Sequence, residues 1–423
     1  MALWSRLRLS PAGWWLALGL ALHLLYLGSL REGWLNLLFN DASHTEQGYD
    51  FQVYYLAGKA VLAGQDPYGV QGAFGFRYLP AFAHTIARAF ALLPPLTGYL
   101  VYLLVSELVL AADVWLTWKW GPPGQGRAIA ICMWLAPTPL YLELYMGQVS
   151  LWAASLLFYL FYALDRGETR CPGLTWTAAV LVKPNALLLL PAFVRQRLWW
   201  PLACCGLAVL CTSLPHFALF PGSWEIFGQL NLGAGQVEGA LTHAGNLGLW
   251  GLLVSLCAKA AGLPIAHLTS LADLPLWGRA VVLLATAAVL AATLAATMRA
   301  AAPDQLLPYT LWLTTFFLVY KDVWEHHYVF LLPVLVALYL RTPSPWLLAT
   351  AIAIALPTPL VFLDLYPGVQ DNIDPERTWS AWTSLLYRSP KLLPVLGLWG
   401  WQLRQLWYPL GQANAVENPA PGC

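Results

Sequence analysis

Residues able to do chemistry are few in this chain and far apart. Asp50 opens the run Tyr49-Asp50-Phe51-Gln52-Val53-Tyr54-Tyr55, Lys183 sits in Lys183-Pro184-Asn185, and His326 and His327 follow Trp324-Glu325. Gln148, Asn246, Arg77 and Lys321 each stand beside a glycine or an aromatic residue. A carboxylate with an ordinary pKa near 3.9 is ionised at neutral pH, and a positioned general base is worth about 10²- to 10⁴-fold. Lysine and arginine stabilise an anionic leaving group in a low-dielectric site. Amides hydrogen-bond hydroxyls without carrying charge. Together these types allow proton abstraction from a hydroxyl beside an anion.

Each residue also has a plainer reading. Asp immediately before a helical run is a common N-cap, and Val53 three positions on supplies no capping box. Asp41 and Glu46 lie in the same loop and compete with Asp50 as the base. Arg77 and Lys321 at a membrane boundary can simply extend to water. Lys183 is harder to dismiss, because a proline-broken helix junction has a reason only where it lines something polar. Adjacent histidines on a helix point about 100° apart, which disfavours one shared metal ion. One of them can equally bond backbone at an interface.

The elements that must position these residues are membrane helices. Of the 423 residues 59% are hydrophobic and 10% charged, against roughly 25% charged in soluble proteins, and the 23 tryptophans fit helix ends at two interfaces. A net charge of +1 gives no sign of nucleic-acid binding. The seven cysteines form no Cys-x-x-Cys or zinc-like spacing, so neither a disulfide framework nor a metal site is expected.

Apolar runs near 11–30, 96–118, 128–145, 149–164, 198–220, 276–298, 306–320, 327–341, 345–365 and 391–410, with 172–194 broken into two half-helices at Lys183-Pro184-Asn185, predict an all-α polytopic protein of about 12 segments. The run after Asp50 puts Phe51, Tyr54, Tyr55, Gly58, Val61 and Leu62 on one face and Gln52 and Lys59 on the other, an interfacial helix that Gly64 and Asp66-Pro67 end. Residues 79–94, with Arg88 and bounded by prolines, are expected to be juxtamembrane or re-entrant. The N-terminus is then cytoplasmic, because Arg6, Arg8, Lys119, Arg127, Arg166, Arg170, Arg195, Arg197, Arg299, Arg341 and Arg404 all fall inside. In that register Asp50, Gln148, Lys183, Asn246 and the 321–327 segment share the outer side. The stretches 221–245 and 366–390 read as outer loops. Residues 1–410 form one transmembrane domain with a first outward loop over 31–95, and 411–423 a disordered tail.

The ordered motifs Asp50-x-x-Val53-Tyr54, Ala57-Gly58, Gly64-x-x-Pro67-Tyr68 and Tyr78-x-Pro80, followed by Gly147-Gln148, Lys183-Pro184, Asn246 and Trp324-x-His326-His327, resemble glycosyltransferase family 87. The likeness runs from the first span to the His-His helix. It departs at Tyr78-Leu79-Pro80, where members usually read Tyr-Pro-Pro. The resemblance implies a GT-C fold and an inverting, metal-independent transfer of mannose from polyprenyl-phosphate-mannose, forming an α-mannosidic linkage on an outward lipid- or glycan-linked acceptor. By the same resemblance Asp50 is the base. Lys183 and a histidine, His327 before His326, approach the phosphate or sugar, Gln148 and Asn246 contact sugar, and Arg77 and Lys321 are further candidates for the phosphate. No cofactor is expected beyond the donor co-substrate, and the partners are donor, acceptor and membrane lipids in a cell membrane. Two other readings stay open: a transporter or flippase, since broken helices also mark transport sites, and a diphosphate-donor glycan ligase or polymerase.

Overall fold

An α-helix rises about 1.5 Å per residue and needs about 20 residues to cross about 30 Å of hydrocarbon. Five helices among the described residues of the computed structural model meet that requirement: Pro11–Glu32, Pro95–Trp120, Gln125–Met146, Trp199–Leu219 and Leu276–Arg299. The structure describes residues 10–39, 46–70, 75–168, 170–232, 241–265, 268–299, 306–358 and 375–408, and these form an all-helical, polytopic assembly. The tail 411–423 and parts of the first outward loop, 40–45 and 71–74, lie outside the described residues.

Burial separates the helices into two kinds. Trp199–Leu219 is 17% buried over its most apolar stretch and carries outward-facing Leu207, Leu210 and Leu214, the pattern of a helix solvated by lipid. Gln125–Met146 is 89% buried, so it runs through the middle of the protein. It is not one rod. Pro137 divides it into Gln125–Leu135 and Thr138–Met146, because proline removes a backbone donor and disfavours helix at the residue before it.

The apolar run 172–194 breaks at the expected residue. Cys171–Val182 ends at Lys183, whose backbone is extended, and a 3-10 stretch Pro184–Leu189 precedes the helix Leu190–Arg195. The 327–341 segment has a similar build, a 3-10 stretch Glu325–Leu331 running into the helix Leu332–Arg341. Residues 80–91 form a helical rod with a π turn at Ala83–Ala87. Its rise of about 18 Å at about 1.5 Å per residue is too short to span.

Three expectations need correction. Gly48, in the left-handed region at φ 75°, is the N-cap of the Tyr49–Leu62 helix, so Asp50 sits inside the first turn and does not cap. That helix is also more enclosed than an interfacial helix would be, with Val53, Ala57 and Ala60 buried alongside Phe51, Tyr54 and Gly58. A Cβ on Gly58 would lie 2.2 Å from the Ala87 carbonyl oxygen, and this close approach of the 80–91 rod is what covers it. Finally, the stretches read as outer loops contain helix: Gly222–Leu232 in the first, and in the second the start of Ala381–Trp407, which begins ten residues before the expected span at 391.

The early start of Ala381–Trp407 has an electrostatic reason. It carries two fully enclosed cations one turn apart, Arg388 and Lys391. Arg388 pairs with the buried Glu376 at 3.1 Å and donates to the carbonyls of Asn246, Thr242 and His243 at 2.8, 2.9 and 3.1 Å. Glu376 is also 3.1 Å from Lys259 and accepts from the hydroxyls of Ser255 and Ser384. Lys391 lies 3.2 Å from Glu325, which accepts from the Thr358 hydroxyl at 2.6 Å. The helix therefore holds both the 242–246 loop and the start of the His326-His327 stretch.

Removing one member of a buried pair leaves the other charge uncompensated, typically at about 3–5 kcal/mol. Arg388→Ala should lower the apparent Tm of detergent-purified protein markedly, while Arg404→Ala, at an exposed position of the same helix, leaves it nearly unchanged. Equal Tm values for the two variants would contradict this account of the clamp.

Candidate functional site

The site gathers at the breaks between helices. Gly147 ends Thr138–Met146 in the left-handed region at φ 78°, and a Cβ there would sit 2.5 Å from the Cβ of Phe51. Glycine thus lets the first turn of Tyr49–Leu62 rest on the Gly147-Gln148 turn, with the Gly48 N–H donating to the Tyr145 carbonyl at 2.8 Å. That contact brings Gln148 to Asp50. The Gln148 Oε1 accepts from the phenols of Tyr54 and Tyr78 at 2.8 and 3.1 Å, which directs its amide N–H toward the Asp50 carboxylate. The two phenol oxygens are 2.6 Å apart, so two protons serve three short contacts. The Tyr102 hydroxyl donates to the Gln148 carbonyl at 2.5 Å and fixes the turn from the other side.

Asp50 is 8% exposed and faces Lys183 and Arg77 as well as Gln148. Burial dominates over these three, and the carboxyl is pushed up to about 6. Lys183, 5% exposed, donates to the Ser150 hydroxyl at 2.6 Å and lies 5.4 Å from the centre of the Phe330 ring. Arg77 pairs with the buried Asp322 at 3.0 Å. Lys321 adjoins that pair electrostatically.

The two histidines separate. His327 Nδ1 accepts the Trp324 N–H at 3.1 Å, closing the start of the 3-10 stretch. His326 is buried next to it, ring centres 4.3 Å apart, and neither of its ring nitrogens has a hydrogen-bond partner among the described residues. His326 also feels the charge of Lys183. The imidazole with both nitrogens unpartnered among the described residues is thus His326, whereas the sequence reading preferred His327.

Asn246 is placed differently from the other candidates. Its amide donates to the Lys321 carbonyl at 2.6 Å and accepts from the Val323 N–H at 3.2 Å, tying the 242–248 loop to the 321–324 segment. Asp50, Gln148, Lys183, Arg77 and His326 converge, while Asn246 braces the wall behind them. Sequence reasoning missed Glu143, Tyr78 as a Gln148 partner, and Asp322. Glu143 carried a readable signal: it is a lone acid in the apolar run Tyr141-Leu142-Glu143-Leu144-Tyr145, and ionisable groups within spans usually mark function.

The fold and site define a polytopic helical membrane protein with a buried carboxylate, a buried lysine and, among the described residues, an unpartnered imidazole gathered at its helix breaks. The profile of glycosyltransferase family 87 matches residues 76–320, more than half of the chain, and the chain belongs to that family, within the GT-C membrane glycosyltransferases. No curated protein matches it. Asp50 precedes the matched stretch and His326 follows it; Asp50 meets Gln148 and Lys183, and His326 faces Lys183, both of which lie inside it.

A carboxyl that keeps its proton to about pH 6 in the fold but only to about 4 when exposed destabilises the fold once ionised. The penalty is absent below about pH 4, grows through the interval, and is complete above about pH 6, where it is on the order of 3 kcal/mol. Asp50→Asn should therefore raise the apparent Tm at pH 7 and make no difference near pH 4. A lower Tm for the variant at pH 7 would contradict the burial argument.

Proposed function

We propose that this glycosyltransferase moves a hexose, mannose before others, from a polyprenyl-phosphate donor to a lipid- or glycan-linked acceptor on the extracytoplasmic face, with inversion at the anomeric carbon. The observation that carries the reading is the buried Asp50 facing Lys183 beside His326, whose two ring nitrogens lack partners among the described residues. An unsatisfied buried polar group costs about 1–3 kcal/mol, and a bound substrate with hydroxyls and an anion removes that cost.

In this mechanism Asp50 takes the proton of the acceptor hydroxyl as its oxygen attacks the anomeric carbon. The bond from that carbon to the phosphate oxygen breaks, and polyprenyl phosphate leaves as the monoester anion. Lys183 supplies positive charge to the leaving phosphate, and Arg77 and Lys321 draw it to the same side. His326 donates to or accepts from the sugar or the phosphate. Gln148 acts through Asp50, orienting the carboxylate, and the donor is the sole co-substrate.

The sidedness rests on charge. Arg127 stacks on Trp118, Arg341 lies 3.4 Å from Asp165, and Arg195 donates to the Met298 carbonyl at 3.0 Å, so each of these basic residues, expected in the cytoplasm, is held near a helix end. The N-terminus is then cytoplasmic and 1–410 is a single catalytic domain of a multi-pass cell-membrane enzyme.

Purified protein given radiolabelled polyprenyl-phosphate-mannose and a membrane-lipid extract should move label into product, and Asp50→Asn should reduce turnover about 10²- to 10⁴-fold. The wild-type rate should rise with pH through about 6 as the base ionises. Gln148→Leu, which removes an amide that lowers the carboxyl, should shift that limb to higher pH. His326→Ala should lose activity at unchanged Tm. A fully active Asp50→Asn removes the assignment of the base, and label transferred only from a diphosphate-linked donor removes that of the donor.

A further inference from the structure

Glu143 has no part in the mechanism above, yet it is completely buried next to it. Its Oε1 accepts the Leu151 N–H at 2.7 Å, at the start of the Ser150–Asp165 helix. Its Oε2 is equally buried and has no hydrogen-bond partner among the described residues. The charge it feels most is that of Lys183, and the two carboxylates that face Lys183 are Glu143 and Asp50. Ser150, one residue before Leu151, is the hydroxyl to which Lys183 donates. The same turn that anchors Glu143 therefore anchors the lysine.

An enclosed lysine loses its proton unless a carboxylate nearby favours the ammonium. Asp50 alone cannot serve throughout a reaction in which it becomes neutral on taking the acceptor proton. A second carboxylate beside the lysine is required at that moment, when the phosphate is leaving. We propose that Glu143 is a positioning residue that holds the Lys183 ammonium charged and directed at the donor phosphate while Asp50 is protonated. This rests on the reading of the donor as a polyprenyl phosphate. Besides Asp50 and Glu143, the titratable groups facing Lys183 are His326 and His327. The phenols of Tyr54, Tyr78 and Tyr102 and the Asp50 carboxyl face Glu143.

The test is the pH dependence of binding of polyprenyl monophosphate, without sugar, to the full-length protein in nanodiscs, with the Glu143 variant and its reference both carrying Asp50→Asn, which stands for the protonated base. Glu143→Gln retains an acceptor oxygen for the Leu151 N–H and removes only the charge. Near pH 6, where Lys183 is charged in both proteins, the two should bind alike. As Lys183 deprotonates earlier in the variant, it should bind about tenfold more weakly near pH 9, so that the two curves diverge. Parallel curves, the result of a purely structural role, overturn the proposal. Lys183→Arg gives an independent readout should the Gln variant not fold. Arginine stays charged, so the alkaline loss of binding seen in wild type should disappear, and its persistence overturns the proposal as well. If wild type binds no polyprenyl monophosphate at any pH, the donor reading falls and this inference with it; intact wild-type binding with parallel curves sinks Glu143 alone.

Discussion

The constraint that shapes this protein is the cost of holding a carboxylate away from water. Asp50 sits on a helix pressed between the 80–91 rod and the Gly147-Gln148 turn, and what it meets is an amide and cations on other elements. Those partners come from distant parts of the chain: Gln148 from a turn that follows a proline-divided helix, Lys183 from a broken one, Arg77 from the approach to the 80–91 rod. None can move far without leaving Asp50 uncompensated. The site is thus electrostatically costly and also ties several elements together.

Behind it stands a second set of buried charges with a different purpose. Glu376, Arg388 and Lys259 form one group, and Glu325 with Lys391 another, each fully or nearly enclosed. Their hydrogen bonds end on backbone carbonyls and on small hydroxyls rather than pointing into the site. They give irregular backbone at 242–246 and 321–327 fixed partners where a membrane protein has no water to offer. Asn246 does the same from within, which explains a polar residue at full burial beside the site that need not touch substrate.

Much of this was legible in the residues. Lys183-Pro184 announced a break, since proline cannot continue the hydrogen-bond ladder, and the break occurs there. Gly147-Gln148 announced a turn. The fold class followed from composition, and the glycosyltransferase family from motifs in order. What could not be read was set by three-dimensional closure. Asp50 preceding an apolar run looks like a cap until Gly48 takes that position. His326 and His327 are equivalent as letters and differ only in which one the Trp324 backbone engages. Arg388 and Glu376 looked like loop charges because their partners lie more than a hundred residues away, or in a stretch with no periodic pattern.

Lys183 and His326 share one further property: each stands at the head of a 3-10 stretch that continues as α-helix. A 3-10 turn rises about 2.0 Å per residue against about 1.5 Å for the α form. Each residue passing from one geometry to the other changes the segment length by about half an ångström without breaking the helix that follows. The lysine and the imidazole thus stand on the more extended 3-10 geometry, one on each of two segments, while Asp50 belongs to a regular α-helix. The cation and the imidazole are carried further along their segments per residue than the base is along its helix.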